Sequence, residues 1–328
     1  MDAKKILGSD LILEFDADDF LLDCRQQHDQ WICSNSACNA RGKGFIKNCT
    51  ACGFPTIIEE SICENCLNEV KLQTLKLINI LSDELNLNEG IFVNYSGSKG
   101  FHVHVQNASV YDLSDKARIE LTDYLSLHEL DLESIGFGFN GKHFTAPLKP
   151  LGIAKRLIQQ IESILKQKNP ERLSVWSGIP LKTCKDLLNN QLDELVESVS
   201  TQNWFALPGR KTEKFWRNLL VHAADEEKLL VDRQTSIDIK KILRVPNSLH
   251  GTTGLLAKSF PVSELKKFNA LKDCIVFSNA LEKIKIISDV LRFELNEEKF
   301  GPFQSDEIVS VPEFAAVYLI GKEKALPM

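Results

Sequence analysis

LILEFDADD, residues 11–19, opens as an apolar run with the alternation of a buried strand and closes with three acids in four residues. Side chains on a strand alternate between faces. Asp16 and Asp18 are therefore expected on one face and Phe15 and Ala17 on the other, with Asp19 and Asp23 as loop acids. Two carboxylates held this close repel unless a cation lies between them. Mg²⁺ and Mn²⁺ prefer carboxylate oxygens, and two-metal phosphoryl-transfer sites need such a pair. A strand running out into a polar loop has the same letters. The Asp-x-Asp pair therefore needs a third acid and a phosphate-binding element before it carries a function.

IFVNYSGSKGFHVHV, residues 91–105, offers the second element. It reads as two short strands around a turn of small residues, Ser96, Gly97, Ser98 and Gly100, with Lys99 as a point charge. Exposed N–H groups and hydroxyls in such a turn can approach phosphate oxygens. His102 and His104 alternate with Val103 and Val105, so both imidazoles face one side. The helix-opening loop GxxxxGK[ST] is absent, which excludes an ordinary P-loop nucleoside-triphosphatase. A third stretch, LLVDRQTSIDIKKILRVPNSLHGTTGL (residues 229–255), ends an apolar, strand-like run at Asp232. It then gathers Arg244, Ser248 and His250 around Pro246 and Gly251. Asp238 reads as a helix N-cap before IKKILR. A polar surface turn is the plainer alternative for this stretch.

Seven of the nine cysteines lie between Cys24 and Cys66; Cys184 and Cys274 are isolated and read as buried thiols. Paired cysteines without a secretion signal favour metal over disulfides. Cys33, Cys38, Cys49 and Cys52 have the spacing of two zinc-ribbon knuckles, with glycines in or beside the turns. Cys24, His28, Cys63 and Cys66 form a second Cys₃His set around the first. Each set supplies four protein ligands and no open position, so both read as structural zinc sites. Redox-active or merely buried cysteines are the alternative for the ribbon. For His28, with Gln26, Gln27, Asp29 and Gln30 as neighbours, it is a surface histidine.

The formal net charge of −6 and pI near 5.7 exclude coating of nucleic acid by bulk charge, though not a local basic cleft or a gripping partner. The apolar runs are too short for a membrane-spanning helix, and MDAKKILGSD has no signal-length apolar stretch. A soluble, intracellular protein with no membrane partner is expected. The organisation expected is a first strand and acidic motif over 1–23 and a zinc-binding insert over 24–66. Core elements follow over 67–110, a mainly helical insertion over 111–225 and further core over 226–328. Ser114 reads as an N-cap and Pro180 as a first-turn proline. The class is α/β (α+β), a mixed sheet with helical and zinc-binding insertions.

These pieces, in this order, resemble the catalytic small subunit of the archaeal and eukaryotic DNA primases. Phe15-Asp16-Ala17-Asp18 looks like that family's DxD motif, and Ser96 through His102 like its SGxxGxH motif. Asp232 through Gly251 looks like its third motif. The family also carries a zinc knuckle between the first two motifs, matched by Cys24, His28, Cys63 and Cys66; the ribbon from Cys33 to Cys52 looks like an insert within it. The resemblance implies that Asp16, Asp18 and Asp232 hold two Mg²⁺ or Mn²⁺ ions. It implies that Ser96, Lys99, His102, Arg244 and His250 bind the phosphates of an incoming nucleotide. It further implies synthesis of short RNA primers on a DNA template from nucleoside triphosphates, in a heterodimer with a primase large subunit. The location would be the cytoplasm or nucleoid if the source is archaeal. The family often has two arginines where this chain has Ser98 and Lys99. Members also usually carry a longer segment before the DxD strand, so this chain is expected to lack that part of the catalytic domain. A primase-superfamily repair polymerase is the nearest alternative, and a non-catalytic zinc-ribbon module for nucleic acid or a protein partner is the other.

Overall fold

The structure, a computed structural model, describes residues 8–207 and 211–328. Most of the N-terminal stretch read as free of a signal sequence, residues 1–7, lies outside the described residues. The chain forms two compact units, Met1–Thr122 with Leu230–Met328, and Asp123–Leu229.

The first unit is organised by an antiparallel sheet of β1 (Leu11–Asp16), β2 (Ile91–Tyr95), β3 (Gly100–Val105) and β4 (Lys258–Pro261), in the order β1-β3-β2-β4. Hydrophobic alternation sets the register. Leu11, Leu13 and Phe15 stand opposite Val105, Val103 and Phe101, and Val93 and Tyr95 flank the same row. All eight are buried. A slip of one residue would turn this set to the opposite face, so the pairing is strongly specified. The helix α1 (Glu64–Asp83) packs on β1 and β3 and buries Leu67, Val70, Leu77 and Leu81. The other face is polar. Glu14, His102, Asn94 and Ser259 stand in one row across the four strands, with Asp16 opposite Gly100 one step further.

β1 is shorter than its apolar pattern suggests. It stops at Asp16, and Ala17–Asp19 form a single 3₁₀ turn. Asp18 is thus placed by a turn, not by strand alternation; Asp19 is exposed, as expected of a loop acid. Further along, LLAKSF holds a strand, but LLVDRQT does not. There the backbone enters the short helix Arg233–Ile237, which Asp232 caps by accepting the Gln234 N–H at 2.8 Å. Asp238 closes that helix instead of opening another, and accepts the Lys240 N–H. DCIVFS begins at the end of the helix Ala270–Asp273 and then turns.

The cysteine-rich insert folds on a small antiparallel sheet of Gln30–Cys33 between Arg41–Lys43 and Thr56–Glu59. Trp31 lies flat on Gly42, where a Cβ would meet the indole at 2.7 Å. Near the C-terminus, Leu281–Ile286 pairs with Ile308–Pro312 and Ala325–Pro327, and the helix Glu313–Gly321 packs on this sheet.

The second unit is mainly helical. Gly152–Lys166 and Thr212–Glu227 pack together with Pro170–Ser177, Leu181–Asn190 and Leu192–Val199 around Trp204, Phe215 and Trp216. Pro180 precedes the helix Leu181–Asn190 as its cap, and the pattern over 181–199 divides at Gln191 into two helices. In the first unit, Ser114 caps the helix Asp115–Ser126 by accepting the Ala117 N–H. Cys184 and Cys274 are buried free thiols. The chain is thus a mixed α/β protein with several small sheets and a cysteine-rich insert, as its patterning predicts.

Candidate metal and nucleotide site

The end of β1 and the β2–β3 turn form one corner. The Ala17 N–H donates to the Lys99 carbonyl at 3.1 Å, which carries the strand register into the turn. Asp16 lies beside Gly100, and the Lys99 ammonium bonds the Asp18 carboxylate and reaches Glu60 Oε2 at 2.6 Å. Burial, with the charges of Glu14 and Asp18, pushes the Asp16 carboxyl up to about 6. Asp18 Oδ1 is buried and has no hydrogen-bond partner. A buried carboxylate oxygen without a donor is costly, and a bound cation removes that cost. The donor set at this corner therefore fits Mg²⁺ or Mn²⁺.

The turn itself is closed by Ser96, whose Oγ accepts the N–H groups of Ser98 and Gly100 at 3.3 and 3.1 Å. Those two bonds leave the hydroxyl proton available to another acceptor. Gly97 has φ +82°, and a Cβ there would strike His250 Cβ at 2.8 Å. The β2–β3 turn and the turn at His250 are thus in direct contact, tied again by Thr253 Oγ1 donating to the Gly97 carbonyl at 2.5 Å. His250 Nδ1 faces the Thr252 N–H and hydroxyl at 3.3 and 3.0 Å. Burial, with Arg244 and Lys322 nearby, holds the His250 pKa down to about 4. The ring is neutral near pH 7, and the Thr252 N–H at Nδ1 leaves the proton on Nε2 as a donor.

Asp232 meets β1 from the other side. Its N–H donates to the Glu14 carbonyl at 2.9 Å, and its Oδ2 bonds Thr235 Oγ1 at 2.7 Å and Lys241 Nζ at 3.0 Å. Burial opposes its charge, yet these partners hold its pKa below the ordinary carboxylate range. Glu14 shares Lys241, at 3.1 Å, and is bonded to His102 Nε2 at 3.0 Å. Burial works against the Glu14 charge too, but His102, Thr235 and Lys241 outweigh it and hold the carboxyl down to about 2.

Asp16, Asp18, Ser96, Lys99 and His250 therefore converge around the β2–β3 turn. His102 is buried against Glu14. Arg244 is exposed and lines an open cleft of about 520 Å³ with Asn94, His104 and Ser259. Asp16, Asp18 and Asp232 do not bring their oxygens within 4.8 Å of one another; among the described residues only the two cysteine sets do so. Lys99 and Lys241 each pair with one of these acids, Asp18 and Asp232, where it stands. Sequence reasoning missed Glu14, Lys241, Thr235, Arg25 and Glu60 as site residues, though a signal for Glu14 was there. Glu14 sits two residues before Asp16 on a strand, and period-2 alternation alone places it on the same face.

The cysteine sets are well formed. Zinc–sulfur bonds of about 2.3 Å give a tetrahedron with sulfur–sulfur edges of roughly 3.8 Å. Cys63 and Cys66 are 3.7 Å apart, Cys24 and Cys66 3.5 Å, Cys38 and Cys49 3.9 Å, and Cys33 and Cys52 3.3 Å. His28 is buried, not superficial, with Nε2 3.2 Å from Cys66 Sγ and Nδ1 2.9 Å from Asp29. A carboxylate behind a histidine ligand is a common means of fixing its tautomer toward a metal. Both sets can hold a zinc ion.

No helix among the described residues is long and apolar enough to cross a membrane. Residues 57–262 match the family model of the DNA primase small subunit. The chain is 26% identical to the DNA primase small subunit PriS of Nitrosopumilus maritimus, across 99% of this chain and 78% of that protein. It is 27% identical to PriS of Cenarchaeum symbiosum over 98% of this chain and 77% of the other. With PriS of Methanococcoides burtonii the identity is 29%, over 77% and 68%. The matched span runs from the last strand of the cysteine insert through β4, and so takes in the Ser96–Gly100 turn, Asp232 and the His250 turn. On the extent of that match, the chain belongs to the DNA primase small subunit family.

Proposed function

We propose that this chain catalyses DNA-templated synthesis of short RNA primers by nucleotidyl transfer at the corner of Asp16, Asp18 and Lys99, in a heterodimer with a primase large subunit. The observation that carries the reading is a buried carboxylate oxygen there that no donor meets. Asp18 Oδ1 is buried without a donor, beside an Asp16 carboxyl pushed to about 6 by burial and by its acidic neighbours. Asp16, Asp18 and Asp232 would hold Mg²⁺ or Mn²⁺, which when bound would supply Lewis-acid stabilisation of the triphosphate and of the leaving pyrophosphate. Asp232, whose charge Lys241 shares with Glu14, would be the third carboxylate of that set.

Lys99, which bonds Asp18 and Glu60, is the cation of this turn placed to meet a phosphate oxygen. Ser96 donates its free hydroxyl proton, and neutral His250 donates from Nε2, on the two sides of the same turn contact. Arg244 adds a charge at the mouth of the cleft, where template or nucleotide enters. His102 acts through Glu14, whose charge keeps the imidazole facing the row beside Asp16. A genomic template places the activity inside the cell, and the two zinc sets serve the fold.

The test is incorporation of labelled ribonucleotides on single-stranded DNA without a primer, with a large subunit present. Asp16→Ala and Asp18→Ala are expected to abolish it with unchanged circular dichroism. Synthesis retained by either variant sinks the assignment. Extension of supplied primers with no start from bare template would point instead to a repair-type polymerase.

A further inference from the structure

Asp18 sits in a three-residue 3₁₀ turn beyond the end of β1, where no strand pairing holds it. Such turns have poor hydrogen-bond geometry, so a rigid position must be imposed from outside. Arg25 imposes it. Its Nη1 donates to the Asp18 carbonyl at 2.9 Å, its Nη2 to Glu60 Oε1 at 3.0 Å and its Nε to Asp29 Oδ2 at 2.8 Å. The guanidinium lies 5.2 Å from the centre of the Phe45 ring. Only 8% of Arg25 and none of Asp29 is exposed.

Each partner leads onward. Glu60 holds Lys99, which bonds the Asp18 carboxylate, so Asp18 is gripped at its backbone and at its side chain from one anchor. Asp29 accepts from Arg25 on one oxygen; on the other it meets the Ser61 N–H at 3.1 Å and His28 Nδ1. His28 in turn faces Cys66. A continuous chain of bonds, His28–Asp29–Arg25–Asp18, therefore joins the Cys₃His set to the acidic corner.

We propose that Arg25 is a positioning residue that couples loading of the Cys24–His28–Cys63–Cys66 set to divalent-cation binding at Asp16 and Asp18. Filling the Cys₃His set fixes His28, and through Asp29 it fixes the fork of Arg25. The fork sets where Asp18 stands. The fork matters as much as the charge: three bonds in one plane suit a guanidinium and not an ammonium. The inference rests on the reading of Asp16 and Asp18 as a divalent-cation site.

The experiment measures Mn²⁺ binding by electron paramagnetic resonance on the whole chain, with zinc content measured alongside. Arg25→Lys is expected to retain two zinc ions and to weaken Mn²⁺ binding by about tenfold, as a lost outer-sphere partner does. Arg25→Gly is expected to show the same loss, and millimolar guanidinium to restore part of it. A packing defect would not respond in that way. Cys66→Ser, which empties the set, is expected to weaken Mn²⁺ binding to the same degree. Parent-like Mn²⁺ affinity in Arg25→Lys and Cys66→Ser, with binding abolished in Asp18→Asn, would overturn the coupling and leave the cation site intact. Mn²⁺ binding unchanged in Asp18→Asn would overturn both.

Discussion

The Asp16 carboxylate lies over the backbone of Gly100, so that a Cβ there would stand 2.0 Å from Asp16 Oδ1 and 2.7 Å from the Phe15 carbonyl. The glycine in the second motif is thus explained by the acid in the first. Gly100 starts β3 directly opposite Asp16, and the two must approach without a side chain between them. Gly100→Ala forces the carboxylate aside or parts the strands. The expected outcome is a loss of about 1–3 kcal/mol in stability, the usual cost of overpacking a tight site, and loss of Mn²⁺ binding. Thermal melting and a Mn²⁺ titration check the two effects separately.

The raised pKa of Asp16 makes a statement about metal-free stability. Its folded-state value of about 6 lies above the ordinary 3.8. The folded state therefore holds this proton more tightly than the unfolded chain does. That stabilisation is fully present below about 3.8 and is lost as pH rises through 6. Two units correspond to at most about 3 kcal/mol. Glu14 works in the opposite direction: held at about 2 against an ordinary 4.5, its contribution is intact above 4.5 and is lost as pH falls from there toward 2. Between pH 4.5 and 7.5 Asp16 dominates this pair. Metal-free Asp16→Asn should melt several degrees above the parent at pH 7.5, with the gap closing toward pH 4.5. Added Mn²⁺ should raise the parent's melting temperature and not the variant's. An unchanged gap across that range would remove Asp16 as the charged group under strain.

Metal analysis should find two zinc ions per chain, and the two sets should be separable. Cys66→Ala is expected to keep one ion in the inner ribbon, and Cys49→Ala one in the outer set. Trp31 packs with Cys33 and Cys49, so its fluorescence reports on the inner ribbon. Stripping zinc should shift that emission to longer wavelength as the ring is exposed, and Trp31→Phe should remove the change. Structural zinc contributes on the order of 10 kcal/mol to such small modules, so the stripped insert should lose its fold. A single zinc ion in the parent would refute one of the sets.

Much of this arrangement was legible in the sequence because two periodicities carry it. Alternation over 11–16 and 100–105 gives both strands and both faces, and the spacing of the cysteines gives both metal sets. What was not legible depends on contacts between distant segments. Asp29 has the letters of a surface acid beside Gln26, Gln27 and Gln30, yet it is fully buried because Arg25, His28 and the Ser61 N–H saturate it. Lys241 looks like one more basic residue in IKKILR, yet it bridges Glu14 and Asp232. The apolar approach to Asp232 reads as a strand because Leu229, Leu230 and Val231 are apolar. The chain turns there because the Asp232 carboxylate takes up the free N–H of Gln234, a local bond that competes with sheet pairing.

Ser98 tests how the turn reads its ligand. It is an uncharged residue of the turn, and its neighbour Lys99 is already shared between Asp18 and Glu60. The Ser98 backbone is held on both sides: its carbonyl accepts from the Tyr95 hydroxyl, and its N–H donates to Ser96 Oγ. The side chain is half-buried and takes part in neither bond. Ser98→Arg therefore adds a forked cation without breaking the turn. An extra phosphate contact is worth about 1–2 kcal/mol, which predicts a nucleotide KM lower by roughly fivefold to thirtyfold with kcat little changed. The gain should shrink as salt is raised, since an exposed charge is screened within about 10 Å at 0.1 M ionic strength. Steady-state incorporation at two salt concentrations decides it. A KM that stays at the parent value would mean that the triphosphate does not lie over this turn.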